Sequence, residues 1–405
     1  KPLLKMKESF QVLQMKISPR KTDTSKDGCH IMVLAGEPSG DVHGAALIQE
    51  LFKNHDRIRV SGMGGPLMAA AGADLFYPIE NLSAMGLTEV VLQFRYIKQA
   101  FDRFRARLRQ DRPDILVLID YPGFNLRAAG YAKTRHHIKV LYYITPKVWA
   151  WNQGRLKKIK AFVDHAALIF PFEQKLYKKA GIPATYVGNP LMDRIKPGLT
   201  GKRDSLGGNC SGKTLTIGLL PGSRKNEISR LLMPLLEAGR LIHEREQGVR
   251  FLVSCADSIS PELVHGPVSD FNGQNLFQVV QGHPESIFQR ADLVIAASGT
   301  VTLEAALYRV PTLIVYKMAG ISYRLARILV KVRYAGLANI ITGTEVMPEL
   351  LQDEATPLNI SQKALSMLKN LPRYRNRLTG VSKLLGPPGA SRRAARLALG
   401  LIQEP

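Results

Sequence analysis

The sequence predicts two doubly wound α/β domains, and three observations predict them. Short apolar runs alternate with segments of helical period, which argues for parallel sheets covered by helices on both faces. The alternation occurs in two series, separated by residues 189–214, which are rich in Gly, Pro, Lys and Ser and read as a linker. In both series the loops that follow strands carry glycines and small or polar residues. Open α/β sheets bind ligands beyond the strand C-termini, so a cleft between the two C-terminal edges is the expected site.

The strands of the first series are "HIMVLA", "IRVSG", "DILVLID", "KVLYYIT", "AALIF" and "ATYVG". Amphipathic helices such as "VHGAALIQELFKN" and "AAGYAKTRHH" lie between them. The second series runs "LTIGLLPGS", "RFLVSCA", "LFQVVQG", "ADLVIAAS" and "PTLIVYK", with helices "RLLMPLLEAGRLIHERE" and "TVTLEAALYR". From about residue 357 the chain is helical again, ending in "ASRRAARLALGLIQ". No repeat or low-complexity tract interrupts it.

A chain of 405 residues accommodates two ordinary domains, and 45% hydrophobic with 22% charged residues is a globular balance. The three cysteines, Cys29, Cys210 and Cys255, are odd in number and widely spaced, which suggests neither a disulfide framework nor a metal knuckle, so a reducing compartment is expected. No run approaches a membrane span, and no signal peptide is visible. Residues 1–28 form a basic, polar extension expected to be poorly ordered, with Met15 a candidate start. The formal charge of +23 and pI near 10.0 call for an anionic partner, either nucleic acid, a membrane surface or phosphorylated substrates, or else describe a solvated basic surface.

Four loops carry candidate chemistry. After the first strand, "AGEPSGD" offers Gly36, Glu37, Ser39, Gly40 and Asp41; its acids argue against a phosphate there. "DYPGFN" places Asp120 at a strand end, as a general base in the cleft or a helix N-cap, with Asn125 close behind. "LLPGSR" presents Ser223 and Arg224, a hydroxyl and a fork matched to phosphate. A plain strand-to-helix turn is the other reading. "ASGTVTLE" sets Ser298, Gly299 and Thr300 at a helix start, suited to a diphosphate or to N-capping alone. Glu304 follows on that helix, where it could accept both hydroxyls of a ribose. Two such loops on one sheet edge favour a nucleotide diphosphate.

Trp149, Trp151, Tyr142 and Tyr143 form an aromatic group beside a basic helix, with core packing the default. Leu82, Met85, Leu87, Val90, Val91, Leu92 and Phe94 are too dense for one buried stripe and are backed by Arg95, Lys98, Arg103, Arg105 and Arg107. That combination reads as an interfacial membrane contact, or as a helix packed on the first sheet. "SYRLARILVKVRY" is a second basic-apolar group. The two together explain the charge better than nucleic acid, for which no recognition signature is present.

Taken together, these motifs resemble the lipid-A-disaccharide synthases, inverting glycosyltransferases of the two-Rossmann (GT-B) type. The resemblance covers roughly His30 to the C-terminus and rests on "AGEPSGD", "GMGGPLMAAAG", "MGLTEV", "DYPGFN", "WAW", "FPFE", "LLPGSR", "ASGTVTLE" and "LANII", in the family's order and spacing. It implies transfer from UDP-2,3-diacylglucosamine to 2,3-diacylglucosamine 1-phosphate (lipid X), giving the β-1,6-linked disaccharide 1-phosphate and UDP. The setting would be lipid A biosynthesis at the cytoplasmic face of the inner membrane of a Gram-negative cell, as a peripheral enzyme with no metal or organic cofactor.

The resemblance makes Asp120 the base on the acceptor 6-hydroxyl and Arg224 a partner of the UDP diphosphate. It puts Ser298, Gly299 and Thr300 beside the leaving group, Glu304 on the ribose and Asn339 in the nucleotide site. It turns Gly36, Glu37, Ser39, Gly40 and Asp41, with Asn125, toward the acceptor sugar; either acid, Glu37 or Asp41, could instead hold the fold of its own loop. It assigns the Leu82–Phe94 region to membrane contact. The expected division is an extension at 1–28, an acceptor and membrane domain at 29–190, a UDP-donor domain at 191–380, and a C-terminal helix at 381–405 packing back across them. Monomer and homodimer both remain open. Another UDP-GlcNAc-using enzyme of the same fold, a soluble transferase or a 2-epimerase, is the alternative. The chain departs from the family at Asn189, where histidine is common, at Asn152, where arginine is common, and at Ala338, which replaces a proline.

Overall fold

The structure is a computed structural model that describes residues 28–79, 90–150, 153–195, 215–271, 275–318 and 333–403. The N-terminal extension, Leu82, Met85, Leu87, Trp151, Asn152, Cys210 and most of "SYRLARILVKVRY" therefore lie outside the described residues, as do the side chains of Val90, Val91 and Phe94. The chain divides into two compact units, the first ending at Asp193 and resuming at Pro388, the second running Arg194–Pro387.

The first unit contains seven strands: β1 (Cys29–Ala35), β2 (Ile58–Gly64), β3 (Asp74–Pro78), β4 (Ile115–Ile119), β5 (Lys139–Tyr143), β6 (His165–Leu168) and β7 (Ala184–Tyr186). All pair in parallel, in the order β3-β2-β1-β4-β5-β6-β7. The helices between them are α1 (Pro38–Asn54), α2 (Pro66–Ala70), α3 (Val90–Asp111), α4 (Pro122–His136), α5 (Arg155–Phe162), α6 (Glu173–Ala180) and α7 (Leu191–Arg194). Strand parity divides the core, because successive side chains face opposite sides of the sheet. Met32, Leu34, Leu116, Leu118, Val140 and Tyr142 meet Ala100, Phe104 and Leu108 of α3 and Ala128, Ala129 and Ala132 of α4. Ile31, Val33, Val117, Ile119, Leu141 and Tyr143 face Leu47, Ile48 and Leu51 of α1.

The second unit holds β8 (Thr216–Leu220), β9 (Arg250–Cys255), β10 (Phe277–Gln281), β11 (Leu293–Ala297), β12 (Thr312–Tyr316) and β13 (Glu349–Leu351), parallel in the order β10-β9-β8-β11-β12-β13. Its helices are α8 (Lys225–Arg245), α9 (Glu262–Phe271), α10 (Glu285–Arg290), α11 (Thr300–Leu307), α12 (Leu337–Thr342), α13 (Pro357–Leu368) and α14 (Leu371–Leu384). The short edge strands β3 and β13 were not among the strands expected from sequence. Neither is apolar throughout, and both are largely unburied.

The last helix, α15 (Ala390–Gln403), belongs to the first unit, while α14 belongs to the second. Ala394, Ala395, Ala398 and Leu401 enter the α1 face of the first core. Small residues at this spacing let α15 lie close to its neighbours. The Asp193 carboxylate accepts the backbone N–H groups of Gly389 (2.5 Å), Ala390 (3.1 Å) and Ser391 (3.1 Å) at the helix start. Lys139 Nζ donates to Leu401 O near its end (2.9 Å).

Candidate functional site

In each unit the strand order reverses between two central strands, β1 and β4 in the first, β8 and β11 in the second. The loops leaving such a pair diverge and open a crevice. The four loops singled out by sequence follow these four strands.

Asp120 directly follows β4. Its backbone is left-handed (φ 44°), as is that of Tyr121 (φ 44°), and Ile144 at the end of the adjacent β5 shares the conformation (φ 59°). A β-branched residue there is a genuine outlier, and each such residue costs of order 1–3 kcal/mol. Hydrogen bonds hold the cluster in place. Asp120 N–H donates to Ile144 O (3.2 Å), and Ile144 N–H to Ala167 O (3.2 Å). The Asp120 carbonyl accepts from Asn125 Nδ2 (2.7 Å) and from the Tyr142 hydroxyl (2.8 Å). Asn125 is fully buried and also donates to Ile119 O (3.1 Å), while its Oδ1 has no hydrogen-bond partner. It therefore positions the Asp120 backbone. Burial raises the Asp120 carboxyl above the ordinary carboxylate range, partly offset by Lys147, the Tyr121 backbone and Arg155.

The "AGEPSGD" loop faces this turn. A Cβ on Gly36 would lie 2.1 Å from Tyr121 Cδ1, so only glycine lets the ring sit there. Gly40 is buried against Ala35, while Glu37 and Ser39 are exposed. Asp41 has a different task from its neighbours. Its Oδ1 accepts the N–H of Gly65 (2.8 Å) and Met68 (2.9 Å), and Oδ2 that of Leu67 (3.0 Å). These are the free donors at the start of α2, so the Asp41 carboxylate holds the "GMGGP" turn instead of facing a substrate.

The loop after β5 is anchored by Glu173, which sequence singled out only within "FPFE". Its Oε1 accepts from Trp149 Nε1 (3.0 Å) and Oε2 from Phe170 N–H (3.1 Å). Burial pushes its carboxyl up to about 7. Trp149 meets Phe170 and Phe172 edge-on, while Tyr142 and Tyr143 are buried in the core. Asn189 accepts Leu191 N–H (3.0 Å) and donates to Ile169 O (3.3 Å), satisfying its side chain within the turn before α7.

In the second unit, Gly222 follows β8 with φ 120°, and a Cβ there would lie 2.3 Å from Glu227 Oε2. Glu227, unremarked in the sequence, shapes this loop: it accepts Ser223 N–H (3.0 Å) and pairs with Arg224 Nη1 (3.0 Å). The Arg224 side chain is 73% exposed, so a competing anion can draw it away at little cost. Beyond β11, Ser298 Oγ donates to Ala335 O (2.8 Å), Gly299 caps α11, and Thr302 Oγ1 donates to Gly299 O (2.8 Å). Thr300 is exposed at the helix start.

Glu304 is only 8% exposed, and its Oε2 has no hydrogen-bond partner. His283 Nε2 lies 3.6 Å away but already faces Arg194 Nη2 at 2.9 Å. Burial raises the Glu304 carboxyl, against the pull of Arg194, and lowers the His283 imidazole. A buried carboxylate oxygen with no partner inside the fold is chemically suited to hydroxyl donors.

Asn339, expected in the nucleotide site, is fully buried, and its side chain is engaged within the fold. Nδ2 donates to Met347 O (2.7 Å) and Glu349 Oε1 (2.7 Å), and Oδ1 accepts the N–H of Val346 (2.8 Å) and Met347 (2.9 Å). With Glu349, which also accepts the N–H groups of Ala335 (2.8 Å) and Gly336 (2.9 Å), it builds the loop that Ser298 grips. Ala338 beside it is buried. Arg194, His283, Glu227 and Glu349 carried no sequence signal of their own.

Among the described residues no cluster of His, Cys, Asp or Glu could hold a metal ion, and no helix is long and apolar enough to cross a membrane.

Residues 31–388 match the family model described as lipid-A-disaccharide synthetase. The lipid-A-disaccharide synthase of Trichlorobacter lovleyi is 40% identical over 378 residues, covering 92% of this chain and 98% of that protein. That of Coxiella burnetii (strain Dugway 5J108-111) is 37% identical over 376 residues, covering 92% and 98%. Among solved structures, Acinetobacter baumannii MurG aligns with a TM-score of 0.59 at 16% identity, covering 92% of this chain and 99% of that one. The UDP-GlcNAc 2-epimerase from Neisseria meningitidis bound to UDP-GlcNAc aligns with a TM-score of 0.63 at 11% identity, covering 93% and 100%. At these identities the structural likeness speaks for the fold alone.

Proposed function

The chain belongs to the lipid-A-disaccharide synthase family, glycosyltransferases that form the disaccharide of lipid A, and from that premise we propose how its residues divide the work. The donor is UDP-2,3-diacylglucosamine and the acceptor 2,3-diacylglucosamine 1-phosphate. The observation that carries the reading is the Asp120 turn, a half-buried, more basic carboxyl on a strained backbone that Asn125 and Tyr142 hold in place.

In this reading the acceptor 6-hydroxyl gives its proton to the Asp120 carboxylate as its oxygen attacks the anomeric carbon. The bond from that carbon to the diphosphate breaks, its electron pair leaving on the UDP oxygen. A single displacement inverts the anomeric configuration. Gly36, Glu37, Ser39 and Gly40 line the acceptor side. Ser223, Arg224, Ser298, Gly299 and Thr300 receive the diphosphate, and Glu304 accepts the ribose hydroxyls through Oε2, which has no partner inside the fold. Asn339 and Asp41 act by holding loops. The segment Leu82–Phe94 meets the cytoplasmic face of the inner membrane, where both acylated substrates reside.

The experiment is a mass-spectrometric assay with both acylated substrates in mixed micelles. Disaccharide 1-phosphate with stoichiometric UDP is expected. Asp120→Asn should lower kcat by about 10²–10⁴-fold while UDP still binds. Turnover near wild type would remove Asp120 as the base. No product, alongside turnover of unacylated UDP-GlcNAc, would overturn the substrate assignment.

A further inference from the structure

The far end of the first sheet carries a second cluster of chemistry. α3 runs into β4 and α4 runs into β5, so the C-terminal turns of both helices lie at the N-terminal edge of the strands. Asp120 lies at the opposite edge, roughly 20 Å away by the rise of α4. Between the two helices is an open groove of about 600 Å³ lined by Phe101, Arg105, Arg109, Tyr131, Arg135 and His136.

Its electrostatics are one-sided. The Arg105 guanidinium lies 5.1 Å from the Tyr131 ring centroid, and Arg109 Nε donates to the Tyr131 hydroxyl (3.2 Å). Among the described residues the one carboxylate paired with these arginines is Asp102, 3.8 Å from Arg105 Nη1. Arg107 on the neighbouring face is, by contrast, paired with Asp74 and Asp111. Hydrogen bonding from Arg105 lowers the Tyr131 phenol, and burial, then Arg109 and Arg112, lower the His136 imidazole. The arginines act on both groups in the direction a positive potential requires, with burial the larger cause at His136.

The floor is aromatic. Phe101 and Tyr131 meet at 6.2 Å and Tyr131 and His136 at 5.3 Å. Guanidinium forks over an aromatic floor match a phosphoryl group whose attached carbon skeleton lies flat on rings.

We propose that this groove binds a phosphoryl group, its oxygens received by Arg105, Arg109 and Arg135 and its organic part resting on Phe101 and Tyr131. The ligand chemistry is a phosphate ester, either a soluble compound or the headgroup of an anionic phospholipid. The inference is independent of the transferase reading, because its test contains no sugar nucleotide.

The test compares the full chain with R105Q/R109Q/R135Q and with R105K/R109K/R135K at fixed ionic strength. One arm titrates glycerol 3-phosphate by calorimetry; the other floats the protein on phosphatidylcholine vesicles containing phosphatidylglycerol. The glutamine variant should bind at least one probe about tenfold more weakly. The lysine variant, which keeps the charge but loses the fork, should follow it. Loss in the soluble arm alone assigns a free phosphate ester, and loss in the vesicle arm alone a headgroup. Loss in both supports the shared phosphoryl chemistry. Wild-type binding by the glutamine variant, full retention by the lysine variant, or no binding of either probe by the unmodified chain would overturn the proposal. Should the triple variants fail to fold, Arg135→Gln, an exposed change, should still weaken binding severalfold, and an unchanged affinity there is equally fatal.

Discussion

Asp120, Tyr121 and Ile144 share a left-handed backbone although none is glycine, and the three sit at the ends of neighbouring strands. Such strain persists only where surrounding bonds over-determine it, and here the Asn125 amide, the Tyr142 hydroxyl and the Ala167 carbonyl do so. Glu173 shows a second residue-scale cost. Its carboxyl rises from 4.5 to about 7 because it is buried. Below 4.5 both folded and unfolded chains hold the proton, and the group's contribution to stability is fully present. As pH rises toward about 7 the unfolded chain ionises while the folded one does not, and stability falls by roughly 1.4 kcal/mol per unit. Above that value the loss is complete. Thermal unfolding of wild type and Glu173→Gln across this window should show the difference between their midpoints shifting toward the variant as pH rises. A gap that does not move with pH would mean that Glu173 is already ionised throughout.

Elements succeed or fail by what ties their ends. α15 offers its first N–H groups to one side chain, Asp193, nearly the whole second unit earlier in sequence. Asp193→Ala should cost about 1–2 kcal/mol and speed proteolysis within residues 388–403, read by limited digestion and a melt. Unchanged digestion would show that the alanine face alone holds the helix. The same distinction governs what was legible in the sequence. The apolar central strands and the loops after β1, β4, β8 and β11 could be read from local pattern, since burial on both faces writes a continuous apolar run. The partners of Asp41, Asn125 and Asn339 could not. Asp41 bonds to backbone 24 to 27 residues away, and an acid bound to its own fold looks in sequence like one that faces a substrate. β3 and β13 escaped because an edge strand needs only partial burial. Glu227 and Glu349 escaped because a glutamate that shapes a loop resembles any exposed one.

At the scale of the whole molecule, the proposed contact of Leu82–Phe94 with a bilayer, drawn from the charge of +23 and the apolar residues of that segment, has a direct test. Leu87→Ser with Val91→Ser should reduce flotation on anionic vesicles, and added salt should reduce what remains, since exposed charges are screened within about 10 Å at 0.1 M. Vesicle binding equal to wild type would return that segment to ordinary helix packing.

The return of α15 to the first unit has a consequence for the order in which the protein can be made. Ala394, Ala395, Ala398 and Leu401 complete one face of a core whose other buried members lie between Ile31 and Val187. A ribosome adding about 5–20 residues per second must finish the entire second unit, some 10–40 s of work, before it releases them. Through that interval one face of the first sheet waits without its last covering helix. The nascent chain is therefore most exposed to chaperones and to mispairing on the unit it began first, and a message cut short near its end would leave the second unit whole and the first one open.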